Sequence, residues 1–208
     1  MRARMALKLA QIEVEIREIS LCDKPAHMLQ ASPKGTVPVL ILADGSVIDE
    51  SLEIMHWALQ KHALADNIHA ACRVLILEND SSFKQALDRY KYQERAHQYN
   101  QQQSQLEYRQ QGEIFLQQLE NLLQENTYLF DATPSFADIA IFPFVRQFAA
   151  VDSEWFEGLN ESRVPYPKLH AWLDCWLNSE LFKSIMTKNP TYIGWFESMI
   201  WRCNLYWL

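Results

Sequence analysis

The chain has 208 residues, 49% of them hydrophobic, which is enough apolar material for one large domain or two small ones. It carries 19 basic and 26 acidic residues, and the net charge of −7 disfavours nucleic acid as a general partner. No apolar run in the sequence is long enough to span a bilayer. The 4 cysteines are far apart and form no Cys-x-x-Cys pair, which fits a reducing compartment better than a disulfide framework.

The first elements of the chain are predicted to alternate between helix and strand. Residues 2–10 are rich in strong helix formers. Residues 12–17 alternate apolar and charged side chains, which predicts a half-buried strand. Pro25 then opens a short predicted helix over residues 25–30, since proline is favoured at a helix start.

Residues 32–51 are the most informative stretch of the sequence. An apolar run at 39–42 predicts a strand, and Asp44-Gly45 is a strong signal for a two-residue hairpin turn. Residues 46–49 can form the return strand. Glu50-Ser51 then supplies residues of the helix-capping type before apolar residues at helical spacing.

Two features of this stretch suggest a binding site. Pro38 enters a strand, and we predict that the Val37–Pro38 bond is cis, a state found in about 5% of X–Pro bonds in folded proteins. With a cis bond the Val37 backbone turns outward and can pair with an extended ligand. The helix start at Glu50-Ser51 favours a carboxylate, and Glu50 can hold an ammonium beside it. Together these features describe a site for a small γ-linked peptide. The alternative is that Pro38 only opens a strand and Glu50-Ser51 only caps a helix.

A family resemblance rests on the order and spacing of these motifs. Thr36-Val37-Pro38-Val39-Leu40 followed by Asp49-Glu50-Ser51 resembles the N-terminal, thioredoxin-like half of a cytosolic glutathione S-transferase. Asp23-Lys24-Pro25 resembles the Lys-Pro pair of the omega-like and bacterial members. The resemblance implies that glutathione, as substrate, is bound by Lys24, Val37, Pro38, Glu50 and Ser51, with Lys24 on the glycyl carboxylate.

The resemblance also implies a reaction and a setting. In an intact member of the family, glutathione thiolate is presented to a small electrophilic or disulfide substrate, for conjugation or thiol transfer. The family type implies a homodimer in the cytoplasm, a role in detoxification, and no metal. Two alternatives stay open: a non-catalytic glutathione-binding or scaffold protein, and an inactive fragment.

The start of the chain bears on catalysis. Residues 2–7 resemble the family's first helix, which normally follows a first strand and a Cys-Pro-type loop that activates the thiol. The expectation is therefore either a start assigned at an internal methionine or a truncated form, with unpaired edges on the strands beside the gap. No catalytic residue is assigned, and this form is expected to be a poor catalyst. Cys22 is considered as a substitute thiol, although a scattered cysteine is more often an inert core residue.

The rest of the chain is predicted to be all-helical. The expected domains are 1–60, thioredoxin-like, and 72–208, helical, joined by a linker at 61–71. His56, His62 and His69 near this linker lack the i,i+4 spacing of helical metal ligands. Ser81-Ser82 is predicted to cap the helix that begins with Phe83.

Ser135 and Asp138 form a second strong signal. They make an N-capping pair before a helix over 139–148 that is apolar nearly all round and so predicted to be buried. The pair resembles the Ser-x-x-Asp box in the helical domain of glutathione transferases, and residues 166–172 resemble the family's penultimate helix. An apolar stripe along that helix is predicted to face the core: Trp172, Leu173, Trp176 and Leu177. The aromatic-rich segment 195–207 is expected to dock on the body as a C-terminal helix. The alternative is an exposed patch, which would indicate a partner or a membrane surface.

Overall fold

The computed structural model of the protein describes residues 1–66, 70–92, 104–159, 164–187, 189–191 and 203–207, with backbone alone for 65, 66 and 203–207. The described helices and strands are, in chain order, α1 (Arg2–Leu9), β1 (Val14–Glu18), α2 (Ala26–Ala31), β2 (Val39–Ile41), β3 (Val47–Ile48), α3 (Ser51–Leu59), α4 (Ala63–Asp66), α5 (Ala70–Glu78), a π-helix (Asn79–Phe83), α6 (Lys84–Lys91), α7 (Gln105–Leu122), α8 (Phe136–Ala149), α9 (Ser153–Phe156), α10 (Pro167–Asn178), α11 (Glu180–Ile185) and β4 (Cys203–Trp207).

The chain divides into two compact units. Unit 1 comprises Met1–Ala65 together with Glu180–Leu208, and unit 2 comprises Asp66–Ser179. The described part of unit 1 combines a four-stranded sheet with helices, and unit 2 is helical wherever the structure describes regular elements. The expected second domain, 72–208, therefore includes a C-terminal segment that the structure groups with unit 1.

The sheet of unit 1 has the strand order β1-β4-β2-β3. Strand β4 runs parallel to β1, with Ile16 opposite Leu205, and antiparallel to β2, with Leu40 opposite Leu205. The expectation of unpaired edges beside a gap is wrong for these strands, because a strand from the far end of the chain lies between β1 and β2. Residues 203–207 form a strand, so the prediction that they belong to a C-terminal helix is wrong. The rest of the predicted aromatic segment, 195–202, lies outside the described residues.

The hairpin predicted after Val39 is present, with a longer turn. The Leu42 N–H donates to the Ser46 carbonyl at 2.8 Å, and the Gly45 N–H donates to the Leu42 carbonyl at 3.0 Å. Gly45 has φ 86°, so it takes the left-handed conformation of a three-residue loop closed by a glycine bulge. The predicted two-residue turn at Asp44-Gly45 is thus one residue too short.

Helix α1 is held to its unit by packing and by the buried side chain of Arg4. It packs against α3 and α11. The Arg4 side chain lies with Nη1 3.7 Å from Glu18 Oε1, and its Nη2 donates to the Thr187 carbonyl at 3.3 Å. Glu18 also accepts from the Asn189 backbone N–H at 3.0 Å. The segment after α11 is therefore fastened to the C-terminal end of β1.

The first long helical run of unit 2 differs from its prediction. Ser81 and Ser82 do not cap a helix, because α5, the π-helix and α6 form one continuous run from Ala70 to Lys91. The Ser81 hydroxyl donates to the Leu77 carbonyl at 2.6 Å, and the Ser82 hydroxyl donates to the Glu78 carbonyl at 3.2 Å. Serine inside a helix satisfies its hydroxyl in this way, on the carbonyl four residues earlier. Helix α4 lies inside the segment 61–71 that was predicted as the linker.

Helix α8 confirms the capping prediction. The Ser135 side chain accepts from the Asp138 N–H, and the Asp138 side chain accepts from the Ser135 N–H at 2.8 Å, which completes a capping box. The helix is buried along most of its length, as its apolar sequence predicted. Helix α10 confirms the penultimate helix, with Trp172, Leu173 and Trp176 buried and Leu177 half-buried.

Candidate functional site

The Val37–Pro38 peptide is cis, as the sequence analysis anticipated. It lies directly before β2, with Pro38 buried. The Val37 side chain packs on a small apolar cluster formed by Ile19, Met28 and Val39. Packing from β2, from α2 and from the residue after β1 therefore fixes the position of the Val37 backbone.

A polar network joins the loop before Val37 to the start of α3. The Ser32 hydroxyl donates to Asp49 Oδ2 at 3.0 Å. The Lys34 ammonium lies 3.3 Å from Asp49 Oδ1 and 3.2 Å from Glu50 Oε1. The hydrogen bond to Glu50, followed by those to Asp49, raises the pKa of Lys34, and the Ser32 hydroxyl and Lys34 lower the pKa of Asp49. The network holds two segments together that are 15 residues apart in sequence.

The start of α3 offers backbone donors. Glu50 is the N-cap residue, with extended backbone at φ −120° and ψ 135°, and its carbonyl accepts the first intrahelical bond from the Ile54 N–H at 2.9 Å. No side chain caps this helix. The N–H groups of the first turn, beginning at Ser51, therefore have no intrahelical partner and lie at the positive end of the helix dipole. They can bind a carboxylate from a ligand.

Lys24 lies against the same loop. Its Nζ is 3.4 Å from the position that a Cβ would take on Gly35, a buried residue with φ 62°. Gly35 follows Lys34 and precedes Thr36-Val37, so Lys24 brings a second ammonium to the loop that leads into β2. A side chain at position 35 would be strained by the positive φ, and its Cβ would lie only 3.2 Å from Leu29 Cδ2.

The structure thus brings the five predicted residues to one region of unit 1. The polar network joins the loop before Val37-Pro38 to Glu50, the residue before Ser51, and Lys24 reaches the same loop at Gly35. Sequence reasoning missed three members of the network: Ser32, Lys34 and Asp49. A basic residue shortly before Val-Pro and an acidic residue shortly after the hairpin were visible as complementary charges. Their pairing depends on the hairpin that returns the chain, which spacing alone does not reveal.

One cavity of unit 1 lies elsewhere. It has a volume of about 810 Å³ and is lined by α1, β1 and α11, including Arg4, Lys8 and Ile185. The Nε of Arg4 is buried and has no hydrogen-bond partner among the described residues. None of the five predicted residues lines this cavity. This cavity is therefore separate from the candidate site.

The cysteines of the described part differ in exposure. Cys22 and Cys175 are exposed, and Cys72 is buried. Burial raises the pKa of Cys72 to about 11.

Among the described residues, no group of three or more His, Cys, Asp or Glu side chains is arranged to hold a metal ion. His69 lies outside these residues. No helix in the described ranges has the length and apolar character needed to cross a membrane.

Two family models match the chain. The model described as "Glutathione S-transferase, N-terminal domain" matches residues 1–60, and the model described as "Glutathione S-transferase, C-terminal domain" matches residues 102–175. Together these two models of one family span well over half of the chain. No significant match was found among curated protein sequences.

Solved structures share the fold over most of the chain. A bacterial glutathione S-transferase, BphK, in a ternary complex is 21% identical, covers 88% of this chain and 90% of its own, and has a TM-score of 0.66. A glutathione transferase family member from Pseudomonas fluorescens with two glutathione bound is 16% identical, covers 88% and 86%, and has a TM-score of 0.71. Glutathione S-transferase-I bound with lactoylglutathione is 22% identical, covers 88% and 91%, and has a TM-score of 0.69. The predicted fold class, a thioredoxin-like α/β part followed by an all-helical part, is confirmed.

Proposed function

Because the chain belongs to the glutathione S-transferase family, we propose that unit 1 binds glutathione through Lys24, Val37, Pro38, Glu50 and Ser51. The observation that carries this proposal is the polar network of Ser32, Lys34, Asp49 and Glu50. It holds the loop before Val37 against the start of α3, so that an extended peptide can meet the Val37 backbone and the helix start together.

The charges of the site match those of glutathione. The γ-glutamyl end carries an ammonium and a carboxylate, which Glu50 and the N–H groups at Ser51 would bind. The glycyl carboxylate would pair with Lys24. The Lys34 ammonium already lies 3.2 Å from Glu50 Oε1. A ligand ammonium that pairs with Glu50 would therefore share the Glu50 carboxylate with Lys34 or displace the Lys34 ammonium from it. Two of the compared structures hold glutathione or lactoylglutathione, which supports this ligand class.

Two chemical outcomes of binding are considered. The first is catalysis, with glutathione conjugated to a small electrophile or exchanged with a small disulfide. The second is binding without turnover. The thiols and phenols of the described part with a shifted pKa all lie in unit 2 and are shifted upward, mainly by burial, so none of them is a stabilised anion of the kind that thiol activation needs. These groups are Cys72, Tyr90, Tyr128 and Tyr166. On family grounds alone, the proposal includes a homodimer, a cytoplasmic location and a role in detoxification.

Calorimetry on matched variants tests the binding site. Glu50→Gln removes the charge expected to hold the ligand ammonium, and the loss of such a charged hydrogen bond corresponds to roughly tenfold weaker glutathione binding or more. Glu53→Gln is the control, because Glu53 lies in the first turn of the same helix and is exposed. Affinity that is unchanged in Glu50→Gln, or equally reduced in both variants, would remove Glu50 from the site.

Turnover assays separate the two outcomes. The full chain is assayed with one conjugation substrate and one thiol-transfer substrate at saturating glutathione. Rates above the uncatalysed reaction establish an enzyme, and Cys22→Ser then tests whether the exposed Cys22 thiol takes part. Glutathione binding with rates equal to the uncatalysed reaction establishes a binding protein.

A further inference from the structure

Strand β4 occupies the interior of the unit 1 sheet although it comes from the far end of the sequence. It pairs with β1 along five residues, from Val14↔Cys203 to Glu18↔Trp207. On its other side it pairs with all three residues of β2. Because β1 and β2 do not pair with each other, β4 is the element that joins the two halves of the sheet.

The hydrogen-bond alternation shows which β4 residues hold β2. Opposite residues of an antiparallel pair alternate between pairs that exchange hydrogen bonds and pairs that do not. The Leu42 N–H donates to the Ser46 carbonyl, so the next pair, Ile41↔Val47, is not hydrogen-bonded. The pair after that, Leu40↔Ile48, is hydrogen-bonded. Ile41 and Val39 therefore direct their backbone groups away from β3 and towards β4. Their partners there are Asn204 and Tyr206. The Tyr206 backbone therefore binds Val39, the first residue of β2, which lies two residues after Val37.

The chain can place β4 in this position from its own C-terminal segment. Thr191 is bridged to Glu18, at the C-terminal end of β1, and Cys203 lies opposite Val14 at the other end. The two ends of β1 are about 13 Å apart along the strand. Thr191 and β4 lie on opposite sides of β1, which adds roughly 10 Å to the distance that the connection must cover. Residues 192–202 can span up to about 36–40 Å when extended. The connection is therefore long enough within one molecule.

We propose that β4 is the positioning element of the glutathione site, so that closure of the sheet by residues 203–207 and ligand binding at Val37 are thermodynamically coupled. This inference rests on the proposed function. Backbone pairing of Tyr206 with Val39 holds the first residue of β2, and the ligand would pair with Val37 just before it. Coupling between two such events is reciprocal: glutathione stabilises the docked strand by the same factor by which the docked strand strengthens glutathione binding.

Amide hydrogen exchange on the full chain tests the role of β4 without any substitution. Without ligand, the amides of residues 203–207 are expected to exchange as slowly as those of β1 and β2, since all three form one cooperative sheet. With saturating glutathione, exchange in 203–207 is expected to slow further. Exchange of 203–207 at the rate of an unstructured peptide, beside protected β1 and β2, would overturn the sheet-closing role. Ligand-independent exchange in 203–207 despite measured glutathione binding would overturn the coupling.

Substitutions in the strands give a second readout. Tyr206→Pro removes the backbone donor that faces β2, and is expected to weaken glutathione binding by about 5- to 150-fold, the usual range for coupled sites. Tyr206→Phe keeps the donor and should bind like the parent chain. Val47→Pro is the matched proline control, because the Val47 N–H faces away from β2. Equal affinity in Tyr206→Pro and the parent would overturn the proposal, and if Tyr206→Pro does not fold, the exchange experiment decides.

Failure of the proposed function can be distinguished from failure of the coupling by calorimetry on the parent chain. If the parent chain does not bind glutathione in calorimetry, the proposed function and the coupling both fall. The protection of residues 203–207 in the ligand-free chain then still supports or overturns the sheet-closing role by itself.

Discussion

At the scale of single residues, the Asp138 side chain of unit 2 accepts four hydrogen bonds. One oxygen accepts from the Leu129 N–H at 3.0 Å and from Trp172 Nε1 at 2.7 Å, and the other accepts from the backbone and hydroxyl of Ser135. Burial raises the pKa of Asp138, and these four donors oppose that shift. One carboxyl group therefore satisfies donors from three separate segments around α8.

The burial of this cap predicts a difference between two capping boxes. Ser135→Ala should lower the free energy of unfolding by about 1 kcal/mol or more, because the freed N–H of Asp138 is buried and cannot turn to water. Ser104→Ala removes the same motif at the exposed start of α7 and should cost about 0.5 kcal/mol. Chemical denaturation measures both. Equal costs, or a larger cost at Ser104, would contradict the argument from burial.

Thiol reactivity is a second prediction at this scale. With a pKa raised to about 11, Cys72 should be about one-thousandth thiolate at pH 8, and it is also shielded from reagent. Iodoacetamide labelling followed by mass spectrometry should therefore modify Cys22 and Cys175 well before Cys72. Denatured protein, in which all thiols are accessible, is the control. Labelling of Cys72 as fast as Cys175 in the folded protein would show that the Cys72 site opens readily.

At the scale of elements, helix α10 takes its N-terminal cap from a neighbouring helix. Its own N-cap residue, Tyr166, makes no side-chain cap. Instead the buried Glu120 of α7 accepts from the Lys168 N–H at 3.2 Å and from the Leu169 N–H at 2.8 Å. A carboxylate at a helix start is favoured by the dipole as well as by these donors. This contact fixes the start of α10 against α7.

Glu120→Gln tests this cap. The amide replaces one accepting oxygen by a donor that faces a backbone N–H, so the free energy of unfolding should fall by about 1–3 kcal/mol. Glu125→Gln, an exposed site shortly after the same helix, should change it by less than about 0.5 kcal/mol. Thermal and denaturant unfolding measure both variants. A Glu120→Gln chain as stable as the Glu125→Gln chain would mean that water replaces the cap.

The elements also show which predictions sequence can support. Ser135 and Asp138 are three residues apart, so the cap they form is local and could be predicted from spacing. Ser81-Ser82 has the same residue type but lies within a continuous helix, where the hydroxyls bond to earlier carbonyls. Whether serine caps a helix or bonds back within one depends on whether the preceding residues are helical. The cap from Glu120 to α10 spans 48 or more positions and has no local signal.

At the scale of the whole molecule, the α/β part and the helical part could be predicted because their motifs are ordered along the chain. The cis peptide at Val37–Pro38 and the helix start at Ser51 were predicted in the same way. The interior position of β4 could not be predicted from the sequence. The pairing of residues near 16 with residues near 205 depends on a strand register that no local pattern encodes. For the same reason, the Lys34–Glu50 pair became visible only with the hairpin in place.

The central claim is that glutathione binds at Val37 and Ser51, and a titration of ¹⁵N-labelled protein followed by NMR tests it most directly. On addition of glutathione, the amide signals of Val37, Ser51 and the rest of the first turn of α3 should shift together and saturate. The dipeptide Cys-Gly, which lacks the γ-glutamyl group, should shift the Ser51 amide far less. Saturating shifts confined to unit 2, or no shifts at Val37 and Ser51, would contradict the account.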